Sequence, residues 1–234
     1  MLIPEEQIQE YYDKFFVKDK SYYEKYKNIT LSMEGSEREY WTFKDCPRLF
    51  SVLDFKEWIE KYEIKSGNKL FYTCKSDKEL EYVSYDESYL FSYDESIEND
   101  LHTLNNKKVG NNFDFIIFNQ TLEHLYNPLL AMKNLYSILK PGGYLYTSVP
   151  TINIRHGEPF HFWGMTPMGL CVLSKSAGFT VKELGYWGNL TYLEKIFKNN
   201  TWPDIFDVTD KMTDEVKNDP THPVQTWILV QKEI

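Results

Sequence analysis

The stretch FDFIIFNQTLEHLYNPLLAMKNLYSILKPGGYLYTSVP, residues 113–150, decides the architecture. Its first six residues, Phe113–Phe118, form a short and almost unbroken apolar run. That is the pattern of a strand covered on both faces, as in the middle of a parallel sheet. Pro128 marks a helix start, and Leu129, Met132, Leu135, Tyr136, Ile138 and Leu139 follow at amphipathic spacing. Lys140-Pro141-Gly142-Gly143 stops that helix, and Tyr144–Val149 resumes as a strand. Strand, helix, turn and strand in this order make a βαβ crossover.

Working outward, the same grammar repeats. Downstream, Thr166 reads as an N-cap, Pro167 as a first-turn residue and Gly178 as a terminator, with Leu170, Val172, Leu173 and Ala177 between them. The last strands are expected at Thr180–Leu184 and Thr226–Gln231, with Asn199–Pro223 between them too long and polar for an ordinary loop, hence a lid or surface excursion. Upstream, Val52, Leu53, Phe55, Trp58, Ile59 and Tyr62 form a helical stripe, and Ser66-Gly67-Asn68 punctuates it. Strands are expected at Lys69–Thr73 and Tyr89–Tyr93, the second closed by Asp94, while residues 95–112 read as a polar loop. The result is a doubly wound α/β domain over residues 65–234 with an insertion at about 190–223, preceded by a helical and aromatic segment, 1–64, expected to contribute to an acceptor site.

Composition narrows the function. The 234 residues carry 26 Lys+Arg against 35 Asp+Glu, a net charge of -9, and no basic stripe, which disfavours nucleic acid and anionic membranes as partners. Mean hydropathy is -0.52, yet 17% of the chain is aromatic, so a substantial core is available. No apolar run approaches a membrane span. The opening MLIPEEQIQEYYDKFF has acids where a secretory signal carries basic and then apolar residues. Cys46, Cys74 and Cys171 are scattered without metal-ligand spacing and read as reduced thiols, so a cytoplasmic protein is expected.

Residues 113–150 resemble class I S-adenosylmethionine (SAM)-dependent methyltransferases, in the fourth strand, the helix after it and the Pro-Gly-Gly turn into the fifth strand. Upstream, Asp100-Leu101-His102-Thr103-Leu104 is similar to the D-x-x-x-L before that fourth strand. Downstream, HFWGMTP and GLCVLSKSAGFTV, within 161–181, are similar to the segment after the fifth strand in enzymes that methylate sugars and other small hydroxylated acceptors. The resemblance covers roughly half the chain. It implies a Rossmann-like methyltransferase fold, mostly parallel with an antiparallel last strand. It also implies SAM as cofactor and O-methylation of a sugar or glycan, while the charge leaves neither nucleic acid nor membrane as an expected partner.

One departure matters. The family's glycine-rich loop after the first strand lets backbone approach the methionine part of SAM, where a Cβ would collide. Here that place is Tyr72-Thr73-Cys74-Lys75-Ser76-Asp77, without glycine. Either side chains replace the loop, or SAM binding is lost and the chain is a binding or scaffold module. An RNA 2′-O-methyltransferase is a third reading, at odds with the charge.

Methyl transfer to a hydroxyl needs an aligned acceptor oxygen and a way to remove its proton. Ligands of parallel α/β sheets sit beyond the strand carboxyl ends. That rule places Asn119, Gln120, Glu123 and His124 at the site, with His156 and His161 from the loop after the next strand. His161 is the first choice of general base, followed by His124 and His156. Glu123-His124, joined by His156 and His161, is also an oxygen and nitrogen ligand set, with Glu123, His124 and His161 the expected ligands of Mg or Mn, and the Glu-His pair resembles the one that holds a divalent cation in quinone-type and small-RNA O-methyltransferases. Those families carry a further glutamate three positions earlier, where this chain has Gln120.

For the cofactor, Asp94 is the ribose acid, Asp100 and Leu101 the adenine pair, and Asn119, Gln120, Thr73 and Ser76 further contacts. Ordinary readings stand beside these: a histidine packed near the cofactor, a hydrogen-bonded His161 among aromatics, a solvated His156, an exposed turn acid at Asp94. Arg38, Trp41, Phe43 and Arg48, with Phe160, Phe162 and Trp163, suit stacking on a sugar ring, and Trp187-Gly188-Asn189 with Tyr192 would close the same side. Core packing explains the same aromatics equally well.

Overall fold

The apolar runs alternate between two cores. Leu70, Phe115, Ile117, Tyr146, Trp227 and Leu229 point to one side of a sheet, and Phe71, Ile116, Leu145, Ile228 and Val230 to the other. This is the period-two consequence of burial on both faces. The computed structural model describes residues 3–15, 46–64, 69–75, 77–91, 100–104, 109–157, 159–203 and 218–234. Among them the strands β1 (Lys69–Tyr72), β2 (Glu87–Leu90), β3 (Phe113–Ile117), β4 (Leu139–Pro150), β5 (Thr180–Trp187) and β6 (Gln225–Gln231) form one sheet, ordered β2-β1-β3-β4-β6-β5. β1 is parallel to β2 and β3, and β3 to β4, whereas β6 is antiparallel to both β4 and β5. This is the Rossmann-like α/β fold expected.

Helices cover both faces. α1 (Glu5–Phe15), α3 (Pro128–Ile138) and α4 (Pro167–Ser176) pack on the Phe71 side, and α2 (Cys46–Lys61) and α5 (Leu190–Asn199) on the Leu70 side. Two of their starts, at Pro128 and after the Thr166 cap, are those the sequence predicts. Asn127 accepts the Leu130 N–H at 3.1 Å ahead of Pro128, and the Thr166 side chain accepts the Gly169 N–H at 3.1 Å ahead of Pro167. No helix among the described residues is long and apolar enough to cross a membrane.

Several expectations shift. Lys140–Gly143 is not a free turn: β4 begins at Leu139, and its pairing with β3 slips between Phe113 and Phe115 to absorb the glycines. β2 begins earlier than expected, and Ser92, Tyr93 and Asp94 lie outside the described residues, as do residues 204–217 of the expected insertion. β5 runs on to Trp187 because Gly185 leaves room for the Trp227 indole, where a Cβ would sit 2.0 Å from Nε1. Trp187 and Tyr192, expected at the acceptor side, are core residues instead. Trp187 packs against both Phe50 and Tyr192 with ring centroids 5.0 Å apart.

Candidate active site

The sheet's order reverses between β1 and β3, the point where doubly wound folds open a crevice at the strand carboxyl ends. A cavity of about 450 Å³ lies there. Every parallel strand delivers residues to it: Thr73 after β1, Phe91 after β2, Gln120 and Thr121 after β3, and Gly157, Phe160 and Phe162 after β4. Thr73, Asp100, Leu101, Gln120 and His124 were expected at such a site, and all line it. The Thr73 hydroxyl is buried with no hydrogen-bond partner among the described residues. Ser76 and Asp94 lie outside those residues.

One wall is organised by Asp100. Its Oδ1 accepts the His102 backbone N–H at 2.9 Å and the ring Nδ1–H at 2.6 Å. His102 Nε2 accepts the Asn127 N–H at 3.2 Å, so both partners fix the same tautomer. The ring stacks on Tyr126 at 3.9 Å, and both line the cavity. Asn134 donates to the carbonyls of Leu101 and His102 at 2.8 and 3.0 Å, tying this turn to α3. Neither His102 nor Tyr126 stood out in the sequence, because their stacking joins segments 24 residues apart. The aromatic lining and the volume suit a nucleoside. The unpartnered Thr73 hydroxyl leaves a polar contact in reserve, so the residues present fit SAM.

The opposite wall carries His124, with the rings of His156 and His161 next to it. A short 3-10 turn, Leu122–His124, hangs from the end of β3, and the Phe162 and Trp163 N–H groups donate to the Glu123 carbonyl at 2.8 and 3.3 Å. This brings the loop after β4 over the turn. Gly157, at φ 62, meets the His124 ring so closely that a Cβ would lie 2.9 Å from Cε1. The Glu123 side chain is fully buried, and neither carboxylate oxygen has a hydrogen-bond partner among the described residues. Burial pushes its carboxyl up to about 8.

His124 Nδ1 donates to the Phe160 carbonyl at 2.7 Å, and His156 Nδ1 to the Ile154 carbonyl at 3.0 Å. Each imidazole therefore keeps its Nε2 lone pair, and these stand 3.8 and 3.9 Å from Glu123 Oε1. An imidazole oriented by a carbonyl on one nitrogen and free on the other is how metal-binding histidines are held. Glu123, His124 and His156 have ligand atoms within 4.8 Å of one another and fit a divalent cation. His161, expected as the third ligand, stands outside this set, since its Nδ1 accepts the His156 backbone N–H at 3.3 Å. It remains a neighbour, 4.5 Å from His156 and 5.9 Å from His124 between ring centroids. Burial lowers the pKa of His124, against the pull of the Phe160 carbonyl, and lowers that of His161, where the other two imidazoles and Arg155 add to it. Both are held as neutral rings.

Two expected contacts are turned away from the cavity. Asn119 is buried, with its Oδ1 accepting from Ser148 N–H and Oγ at 3.0 and 3.1 Å. Arg48, expected beside the acceptor, is buried in an ion cluster with Asp77 and Glu79. Arg38, Trp41 and Phe43 lie outside the described residues. Phe160, Phe162 and Trp163 are exposed at the cavity's rim or beside it.

Residues 79–200 match the family described as a methyltransferase domain. No curated protein sequence matches. Similar solved structures include a methyltransferase candidate from Bacillus halodurans C-125, at 13% identity and TM-score 0.45, covering 76% of this chain and 99% of that one. A SAM-dependent methyltransferase from Archaeoglobus fulgidus has 14% identity and TM-score 0.43, covering 77% and 94%. Haemonchus contortus phosphoethanolamine N-methyltransferase 2, solved with SAM, has 11% identity and TM-score 0.45, covering 77% and 53%.

Proposed function

Because the chain belongs to the family of methyltransferase domains, matched over more than half its length, we propose that it is a SAM-dependent O-methyltransferase acting on a hydroxyl of a sugar or glycan. The observation that carries this reading is the cavity at the switch point with His124 in its wall and the Glu123 carboxylate beside it. A cofactor pocket adjoins groups able to handle an acceptor proton.

Bound in that cavity, SAM supplies a methyl group on a sulfonium, ready for in-line displacement. Thr73, Asp100, Leu101 and Gln120 would hold it. Glu123, His124 and His156 would hold a divalent cation, which lowers the pKa of a coordinated hydroxyl. With two imidazole nitrogens, one carboxylate and Gln120 where a second acid would stand, the donor set favours Mn²⁺ over Mg²⁺. His161, neutral and beside the trio, is the candidate general base. Phe160, Phe162 and Trp163 offer flat apolar faces on the acceptor side.

The scaffold alternative calls for no cavity over the strand ends, and the cavity supports the enzyme reading over it. The test is calorimetry with SAM and its demethylated product S-adenosylhomocysteine, followed by transfer of labelled methyl to a panel of monosaccharides with Mn²⁺ or with chelator. Binding of either nucleoside, and label in a sugar, are expected. Failure of both nucleosides to bind at millimolar concentration would overturn the reading.

A further inference from the structure

We propose that the buried cluster of Arg48, Asp77 and Glu79 does the work of the missing glycines, holding the turn after β1 open for the cofactor from outside the cavity. The inference rests on reading that cavity as the SAM site. Arg48 extends from the first turn of α2, and its Nη1 and Nη2 each donate to one oxygen of Glu79 at 2.6 Å. Nη2 also donates to Asp77 Oδ1 at 3.1 Å. Such a two-pronged grip fixes direction as well as distance.

The two acids flank the start of a 3-10 helix, Lys78–Tyr82, directly after the turn. Asp77 occupies the N-cap position, yet its side chain makes no cap bond there. Its second oxygen accepts instead from Asn119 Nδ2 at 3.3 Å. Asn119 Oδ1 accepts from Ser148 Oγ, which in turn accepts from Gln120 Nε2 at 3.1 Å. Gln120 and Thr73 both line the cavity. One polar chain thus runs from α2 through the end of the turn to the end of β3, and so links two sides of the cavity.

The physical logic follows from what glycine does and what it lacks. A glycine turn lets a ligand approach but is not held in one shape by its own side chains. A turn carrying Thr73, Cys74 and Lys75 has side chains to keep out of the way, so its path must be fixed elsewhere. Arg48 supplies that fixation by neutralising one of two buried carboxylates and directing both. Arg48 and Asp77 are positioning residues, touching neither cofactor nor acceptor.

The experiment has a wild-type arm and a variant arm. Hydrogen exchange of the peptide spanning 69–82 in the wild-type protein is expected to be slow before S-adenosylhomocysteine is added. Fast exchange that slows only on addition would overturn the proposal, whether or not any variant folds. In the variant arm, Asp77→Asn and Arg48→Lys are titrated with S-adenosylhomocysteine at a temperature where circular dichroism shows them folded. The Kd is expected to rise by about 10- to 100-fold for Asp77→Asn, the scale seen when outer support of a binding group is removed, with a smaller rise for Arg48→Lys. Tyr62→Phe, which breaks a 2.6 Å bond to Glu183 on the far side of α2, is the control and should lower Tm without changing Kd. A folded Asp77→Asn protein with Kd within about twofold of wild type would also overturn the proposal. Should wild type itself bind no S-adenosylhomocysteine, the cavity reading fails, while slow exchange would still uphold the brace.

Discussion

Asp77 and Glu79 are buried with a guanidinium forked between them, whereas Glu123 is buried with no hydrogen bond to either oxygen among the described residues. Both clusters sit at the carboxyl ends of the parallel strands, and both take charge out of water. In the first, Arg48 and Asn119 answer the carboxylates at 2.6 to 3.3 Å. In the second, two imidazole nitrogens face the carboxyl at 3.8 and 3.9 Å, beyond hydrogen-bond distance. An uncompensated buried carboxylate costs several kcal/mol as an ion. A satisfied cluster spends its polarity on rigidity, while an unsatisfied one is receptive to a cation or a proton.

The sharpest way to break this contrast is to unbalance the satisfied side. Arg48→Met leaves Asp77 and Glu79 buried together, and removing one partner of a buried pair costs about 3–5 kcal/mol. Urea denaturation of the folded protein should show a loss of that size. A loss below about 1 kcal/mol, the scale of an exposed pair, would mean the cluster is wetter than its burial implies. Glu123→Gln is the counterpart. It removes the charged ligand of the other cluster, and Mn²⁺ affinity measured by calorimetry should fall by about 100-fold or more. If Mn²⁺ binds the variant as well as the wild type, the trio is no cation site.

How far the sequence disclosed these features depends on the range of the contacts. Strand 113–117, the helix start at Pro128, the cap at Thr166 and the crossover were legible because each is written in neighbouring residues. Glu123-His124 was legible as a pair for the same reason. The choice between His156 and His161 was not, because it depends on which ring nitrogen meets a backbone group: Ile154 carbonyl for one, His156 N–H for the other. The Arg48 cluster was illegible. Its partners lie 29 and 31 residues away, in a charged run that reads as solvated surface. Trp187 and Tyr192 look like pocket residues in sequence, since aromatic composition is the same in a core and in a binding face.

Proton occupancy gives a third and smaller test. Burial raises the Glu123 carboxyl from 4.5 to about 8. A carboxyl with a higher pKa when folded binds its proton more tightly in the native state. Its contribution to stability is therefore complete below about pH 4.5 and is lost as pH rises through about 8. In chelator, wild-type stability should decline across that window by several kcal/mol, at most about 5, and Glu123→Gln should remove that part of the slope. Saturating Mn²⁺ should reverse the decline, since the cation takes the place of the proton. Identical pH profiles for wild type and variant in chelator would show that Glu123 is solvated.

The smallest change sharpens the contrast from the backbone side. The ion cluster is directed by strong charge-assisted bonds, but the His124 ring is placed by one carbonyl and by the missing Cβ of Gly157. Gly157→Ala acts twice. At φ 62 an alanine is strained by about 1–2 kcal/mol, and its Cβ would lie 2.9 Å from His124 Cε1. The first effect lowers Tm whatever the site does. The second pushes the ring against its bond to Phe160 and moves Nε2 relative to Glu123, so Mn²⁺ affinity should drop by about tenfold, less than for Glu123→Gln. Thermal unfolding and Mn²⁺ titration of the same sample separate the two. A lower Tm with unchanged Mn²⁺ affinity would show that the loop yields and the ring stays, so that the open cluster is as firmly directed as the closed one.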